Sequence, residues 1–517
     1  MPGLADWARA ASMTPEQAEQ NYQLGVSKLL AREIKRVEAR MTAGDFTKKP
    51  RAAKRMLSAE NLQTQLELRK LKHAFAKRVF EAEMAKRTRI QKGFGLVVET
   101  FNATRSIMTS IDWSAILRQS LFTFGHPVLA AKVFKPMFLA TFSEAQNVNI
   151  EEQIRKRPNY QLYERAKLHL TESHGYDPKR VEEQFVGRWL ERIEEVDGEA
   201  GKNLARKVHR WATAPVRGSG RAYSTFTNLM RVEMFDMLYG SLVNDPTAPA
   251  QAELEAVANL VNVFTGRGTF GKTVDAGGVA ASMLLFAPRY LASRFNVLLG
   301  QPILRGYLAS EPGTNKRIAR MAAKEYARTL VGMAAIYGLA AMWQAVNGDD
   351  DDEEPIATLD PRSSDFGKIK FGNVYLDPMA GLAQATVFMA RVWTKETTVD
   401  GEVRSLGPDR DFGQRSVYDV MADFGRSKLS PMAGFIVNSL TDEGFGGEPL
   451  TNIEAAQELA APLAWREVPG VVKDQGLPEG MALMTLSWLG MGIQYRDPDR
   501  WGEIKEKRAD YKEERGR

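Results

Sequence analysis

Thr329 to Gly348 (TLVGMAAIYGLAAMWQAVNG) carries no charged residue over 20 consecutive positions. As a helix rising about 1.5 Å per residue it would extend roughly 30 Å, the thickness of one bilayer core. It is the one segment long enough to cross a membrane, so any fold must either bury this run or give it an apolar neighbour. Lys316, Arg317, Arg320, Lys324 and Arg328 lie on its N-terminal side, and Asp349, Asp350, Asp351, Asp352, Glu353 and Glu354 follow it. If the run inserts, that asymmetry holds the basic end on the cytoplasmic side. Its alanines, with Gly332, Gly338, Tyr337 and Gln344, gain little from hydrocarbon, so a buried core helix and a membrane-entering helix both remain open. Ala334, Gly338, Ala341 and Ala345 repeat at steps of four, three and four, forming a face where another helix can approach closely in either setting. These four are the candidate membrane or oligomer contacts.

At 517 residues the chain is long enough for two or three domains and a sizeable core. It has no cysteine, which excludes disulfides, iron–sulfur clusters, cysteine zinc sites and a cysteine nucleophile. The five histidines are scattered, and the nearest pair, His169 and His174, lacks the i, i+4 spacing of a zinc-binding helix. No metal or cofactor site is expected. The opening MPGLADWARAASMT has neither a basic n-region nor a continuous apolar h-region, so no secretory signal is expected. Residues 1–100 hold 20 Lys and Arg against 11 Asp and Glu, more than the whole formal excess of +6. A basic segment of this kind suits nucleic acid or anionic lipid.

Taken in order, the chain divides into four regions. Residues 1–93 read as a basic helical arm. Thr14, Pro15 and Gln17 form a helix start, and Val26, Leu30, Ile34, Val37 and Met41 make a helical stripe. GDFTKKP at 44–50 breaks that helix. A second helix runs from about Ser58 to Lys92, carrying the polyanion-binding candidates Arg69, Lys70, Lys77, Arg78, Lys86 and Arg87. Residues 94–348 read as helices separated by Gly and Pro. An apolar helix runs through Phe138, polar ones cover 155–165, 179–195 and 202–211, a turn falls near Pro215, and a core helix spans Arg221 to Leu238. In 349–500 the period changes. KIKF, Gly372-Asn373 and VYLD make one hairpin, and TVDGEVR at 398–404, with Asp400-Gly401 at its tip, makes a second. Short helices are expected at 378–392, 429–440 and 481–491, and a charged tail occupies 501–517. The fold class is therefore mainly α: a multi-helix assembly with a long N-terminal helical arm and one or two small β-hairpins in the C-terminal third.

Two motifs suggest chemistry. GRGTFGKT at 266–273 fits the phosphate-loop pattern and makes Lys272 the residue of a nucleotide-hydrolase reading. That loop links a buried strand to a helix, whereas 251–264 reads as an amphipathic helix, so a Gly-rich interhelical turn is expected instead. TESHGYDP at 171–178 resembles the Glu-Ser helix end of lytic transglycosylases, in which the Glu is the general acid, and makes Glu172 the residue of an alternative peptidoglycan-cleaving reading. The Gly-Ala-x-Gly-Leu-Met-Gln segment of that family does not follow; the chain continues KRVEEQFVGRWLERI.

Several stretches together carry a broader resemblance: DWSAILRQS with HP (112–127), RAYSTFTNLMRVEMFD (221–236), FTGRG (264–268), FAPRYLASR (286–294), DPRSSDFGKIKFGNVYLDPMAG (360–381), GRSKLSPMAGFIVN (425–438) and GGEPL (446–450). In these the chain resembles the phage large polyvalent protein-associated domain family, over roughly 97–495. The resemblance brings no catalytic residues with it. It implies a phage internal virion or DNA-ejection setting and a location in the particle, then in the host cell envelope after ejection. The partners it implies are other phage virion proteins, further copies in a homo-oligomer, phage DNA and the host membrane.

Overall fold

The computed structural model describes residues 113–171, 202–244, 247–271, 284–314, 316–347, 356–399, 401–410, 414–441 and 468–497. Every described residue belongs to one unit of the chain, within Leu57–Arg517. The basic arm with Arg69, Lys70, Lys77, Arg78, Lys86 and Arg87, and the charged tail, lie outside the described residues.

A π-helical turn, Ala115–Gln119, leads into α1 (Phe122–Gly125) and α2 (Pro127–Phe142), which starts with Pro at its first position, where the missing N–H costs nothing. Ser143 caps α3 (Glu144–Arg155) by accepting from Gln146 N at 3.3 Å. The single helix expected over 155–165 does not form. Arg157 precedes Pro158 and is steered away from helical angles, so α3 ends and α4 (Tyr160–Arg165) begins anew. By contrast α5 (Lys202–Val243) continues through Pro215, where the sequence predicts a turn. One missing hydrogen bond is outweighed by packing along α2. Gly218 sits so close that an added Cβ would stand 3.0 Å from Thr141 O. Arg221 donates to Ala140 O (2.9 Å) and Thr141 O (2.7 Å), satisfying carbonyls near the end of α2.

Next come α6 (Gln251–Phe264), α7 (Pro288–Leu298), α8 (Gln301–Ala309) and α9 (Arg317–Asn347), so the uncharged run forms the later part of a longer helix. Strands β1 (Ile369–Phe371) and β2 (Val374–Asp377) pair antiparallel across Gly372-Asn373, with Phe371 opposite Val374. Gly372 has φ +56°, as such a two-residue turn requires. After α10 (Leu382–Thr394), β3 (Glu396–Val399) and β4 (Glu402–Ser405) make the second expected hairpin. Helices α11 (Val417–Ser427), α12 (Pro431–Thr441), α13 (Val468–Gln475) and α14 (Leu477–Trp488) follow, and β5 (Gly492–Tyr495) returns to pair with β2. The described architecture is mainly α, with a three-stranded and a two-stranded antiparallel sheet in its C-terminal part.

The larger core is built on α5 and α6. Phe226, Met230, Met234 and Phe235 from α5 meet Val257, Val261 and Phe264 from α6, all fully buried. At about 1.5–3 kcal/mol for each large apolar side chain removed from water, this pair of helices dominates the stability of the region. A smaller core of Ile369, Val374, Leu376, Val471 and Met491 covers the sheet, and Leu117 and Ile336 pack against both.

Four of the stretches that carry the resemblance, 112–127, 264–268, 286–294 and 360–381, meet at one junction. Arg294 of α7, 1% exposed, donates to Ala380 O at 2.6 Å and to Gln119 O at 3.2 Å, and also to Arg118 O. Its guanidinium lies 4.4 Å from the Tyr290 ring centre, and Tyr290 OH donates to Ala380 O at 2.7 Å. Ala380 and Gly381 both have positive φ, and a Cβ on Gly381 would strike Tyr290 OH. Gly268 abuts the α7 backbone at Ser293, and Leu121 N donates to Phe264 O at 2.8 Å. Arg294 thus satisfies carbonyls at the end of the π-helical turn and in a strained bend more than 250 residues later in the chain, with main-chain dipoles around its charge.

Candidate functional site

Helix α9 changes character along its length. Near its start Arg317 meets the fully buried Glu253, donating from Nε to Oε1 at 3.0 Å, and to Thr247 O at 2.7 Å. Burial alone would push the Glu253 carboxyl up, but the Arg317 guanidinium and the Ala250 N–H hold it below its usual range. Glu325 accepts from His126 Nε2 at 2.6 Å. Gly332 permits contact with α1, since a Cβ there would overlap Phe124 O. Farther on, one side still touches the fold: Tyr337 OH donates to Gly367 O at 2.5 Å, and Trp343 meets Phe371 edge-on at 5.2 Å.

The opposite side faces out. Val331 is 70% exposed, Leu339 67%, Met342 67% and Val346 80%, and Ala334, Gly338, Ala341 and Ala345 are exposed between them. A Cβ added at Gly338 would meet nothing within 4 Å. Among the described residues, Arg317–Val346 is the helix long and apolar enough to cross a membrane, and only 11% of its apolar window is buried. All four predicted contact residues therefore share one open face, flanked at its start by the exposed Arg320 and Lys324.

The two catalytic motifs fare differently. Lys272 lies outside the described residues, but Gly266–Gly271 does not. A helix, α6, precedes it where a phosphate loop needs a strand. Gly268 is pressed onto α7, and Thr269 exchanges hydrogen bonds with the Asn296 amide at 3.0 and 3.2 Å, so these backbone groups are engaged rather than open to an anion. Glu172 also lies outside the described residues, yet the segment leading to it is well defined. Lys167 O and His169 N are held by the Asn262 amide at 3.1 and 2.9 Å, and Thr171 O and N by the Asn228 amide at 2.7 and 2.7 Å. The fully buried Arg231 donates to His169 O (3.2 Å), Thr171 Oγ1 (3.1 Å) and Thr265 Oγ1 (2.8 Å). Beside this segment opens a cavity of about 320 Å³, walled by α3, α4 and Asn228.

Asn228, Arg231, Asn262 and Arg294 escape a reading of the sequence alone. Arg231 left one trace: it lies in the apolar register of α5, four residues after buried Thr227 and three before buried Met234. Lys428, just after α11, is a further perturbed group. Burial pulls its ammonium down to about 8 against the opposing pull of Asp377, while Gln384 Oε1 accepts from it and the Phe424 ring lies 5.0 Å away. Burial conversely pushes the Asp377 carboxyl up, partly offset by the Met379 N–H and by Lys368, Arg118 and Lys428. Among the described residues no group of three or more His, Asp or Glu is placed to hold a metal ion. Comparison of the chain with protein-family models, curated proteins and solved structures finds no match.

Proposed function

We propose that this chain is a non-enzymatic internal or ejection protein of a phage particle, which oligomerises and assists genome delivery through the host envelope. The observation that carries the reading is the outward face of α9. Contiguous exposed apolar surface on this scale marks a place where protein or membrane docks. The small residues Ala334, Gly338, Ala341 and Ala345 let a neighbouring helix come close in the particle, and the same face suits hydrocarbon once the protein reaches the envelope. The phage setting comes from the resemblance, three of whose stretches, 112–127, 286–294 and 360–381, meet at Arg294, and the basic arm is the part suited to DNA.

The test is dye release from vesicles of phosphatidylglycerol and phosphatidylethanolamine by the full chain at pH 5 and pH 7. Carrying the six acids Asp349 to Glu354 into hydrocarbon is costly, so wild type should leak more at pH 5, where they are closer to neutral. Replacing them with Asn and Gln should raise leakage at pH 7. Gly338→Arg should suppress leakage at both, and its site is open enough that the fold is undisturbed. If Gly338→Arg leaks like wild type, or if no protein leaks at either pH, α9 does not enter membranes.

A further inference from the structure

The segment after α4 displays one occupied edge and one vacant one. After the turn at Lys167, whose φ is +60°, residues 169 and 171 send their main-chain groups toward Asn262, Arg231 and Asn228, which is the alternation of an extended strand whose partner is replaced by side chains. The main-chain groups of Leu168 and Leu170 must then point the other way. Leu168 N is used by Tyr163 O at 2.8 Å, whereas Leu168 O and the N–H and C=O of Leu170 have no partner among the described residues. Leu168, Leu170 and Thr171 also line the 320 Å³ cavity, whose far wall is the end of α3 and the face of α4.

We propose that this vacant edge binds a short extended peptide, which adds to Leu168–Thr171 as a strand adds to a sheet. An N–H and a C=O offered by one residue match the C=O and N–H of one facing residue, a two-point recognition that a water or a single anion does not reproduce. The cavity is at the small end of ligand sites, so it takes a few residues rather than a folded partner. Its apolar part, Ile154 and Leu168, seats one apolar side chain, and its rim carries both signs, Glu151 and Glu164 with Arg155 and Lys167. That rim favours a peptide of low net charge over an acidic or basic tail. The site does not depend on the membrane reading of α9.

The experiment uses the full chain with 15N-leucine labelling. The probe is a pool of blocked pentapeptides with valine at the centre and mixed neutral flanks, together with the same pool N-methylated at the central peptide bond. The unmodified pool should shift the Leu170 amide resonance, and N-methylation should weaken the effect about tenfold, the factor one net hydrogen bond carries. Leu170→Pro removes an N–H that the fold itself does not use; read at the Leu168 amide, which the pool also shifts in wild type, it should abolish the response while the protein stays folded. Should that variant misfold, the N-methyl comparison on wild type still decides. The proposal is overturned if millimolar peptide leaves Leu170 unshifted, if N-methylation changes nothing, or if only a chitin tetrasaccharide, and no peptide, shifts it.

Discussion

Asn228 does with one side chain what a neighbouring strand would do with a peptide group: its amide donates to Thr171 O and accepts from Thr171 N, each at 2.7 Å, in a buried setting. Two buried polar groups thus depend on one residue. Asn228→Ala should destabilise the protein by about 2–4 kcal/mol in urea denaturation, because each orphaned group costs roughly 1–3 kcal/mol. Asn228→Asp should recover little of that, since a carboxylate still accepts from Thr171 N but repels Thr171 O. Asn262→Ala should cost less, because the bond from its amide to Lys167 O is exposed and water can replace it. None of this was legible in the sequence. An asparagine in a helix looks alike whether it faces solvent or a strand 57 residues away, and only the partner tells them apart. The same holds for Arg294, whose acceptors lie 175 residues before it and 86 after it.

At the scale of elements, what the sequence made legible was what local physics decides. Helix α6 follows from its apolar spacing and the hairpin β1–β2 from a Gly-Asn pair between alternating residues. Strand β5 was missed because four residues beginning with Gly show no period, and it is a strand only through its pairing with β2. Helix α11 opens on the Ser416–Asp419 capping box, a start signal that is local and so readable in the sequence. The continuity of α5 through Pro215 was likewise a tertiary outcome. Two glycines show how context sets the sign of one substitution. Gly490 has φ +103°, and a Cβ there would stand 2.6 Å from Ser114 O, so Gly490→Ala should lower stability by about 2–4 kcal/mol and loosen the contact between 113–117 and the end of α14. Gly338 is helical and open, so Gly338→Ala should raise stability by about 0.5–1 kcal/mol. Paired urea titrations of the two variants check both signs.

For the molecule as a whole, charge and apolar surface are separated along the chain. The excess of Lys and Arg lies in residues 1–100, while the exposed apolar helix lies beyond residue 316. Polyanion binding by the full chain should therefore be electrostatic. Affinity for duplex DNA should fall by about two to three orders of magnitude between 50 and 500 mM salt if roughly three phosphates are neutralised. Deleting 1–93 should remove most of it, and binding that is insensitive to salt would exclude this role. The first described residues are also tied to the last: Trp113 N donates to Trp488 O at 2.9 Å and Leu117 N to Leu489 O at 3.0 Å. This closure bears on how the chain is made. At about 5–20 residues per second, a ribosome needs roughly 20–75 s to add the residues between those partners. Throughout that time the segment around Trp113 lacks its hydrogen-bond acceptors, and for about the first half of it also the carbonyl-capping Arg294, and long-range closure of this kind folds slowly. The nascent chain thus holds the segment around Trp113 unclosed, with its apolar side chains open to chaperones, until α14 has been made.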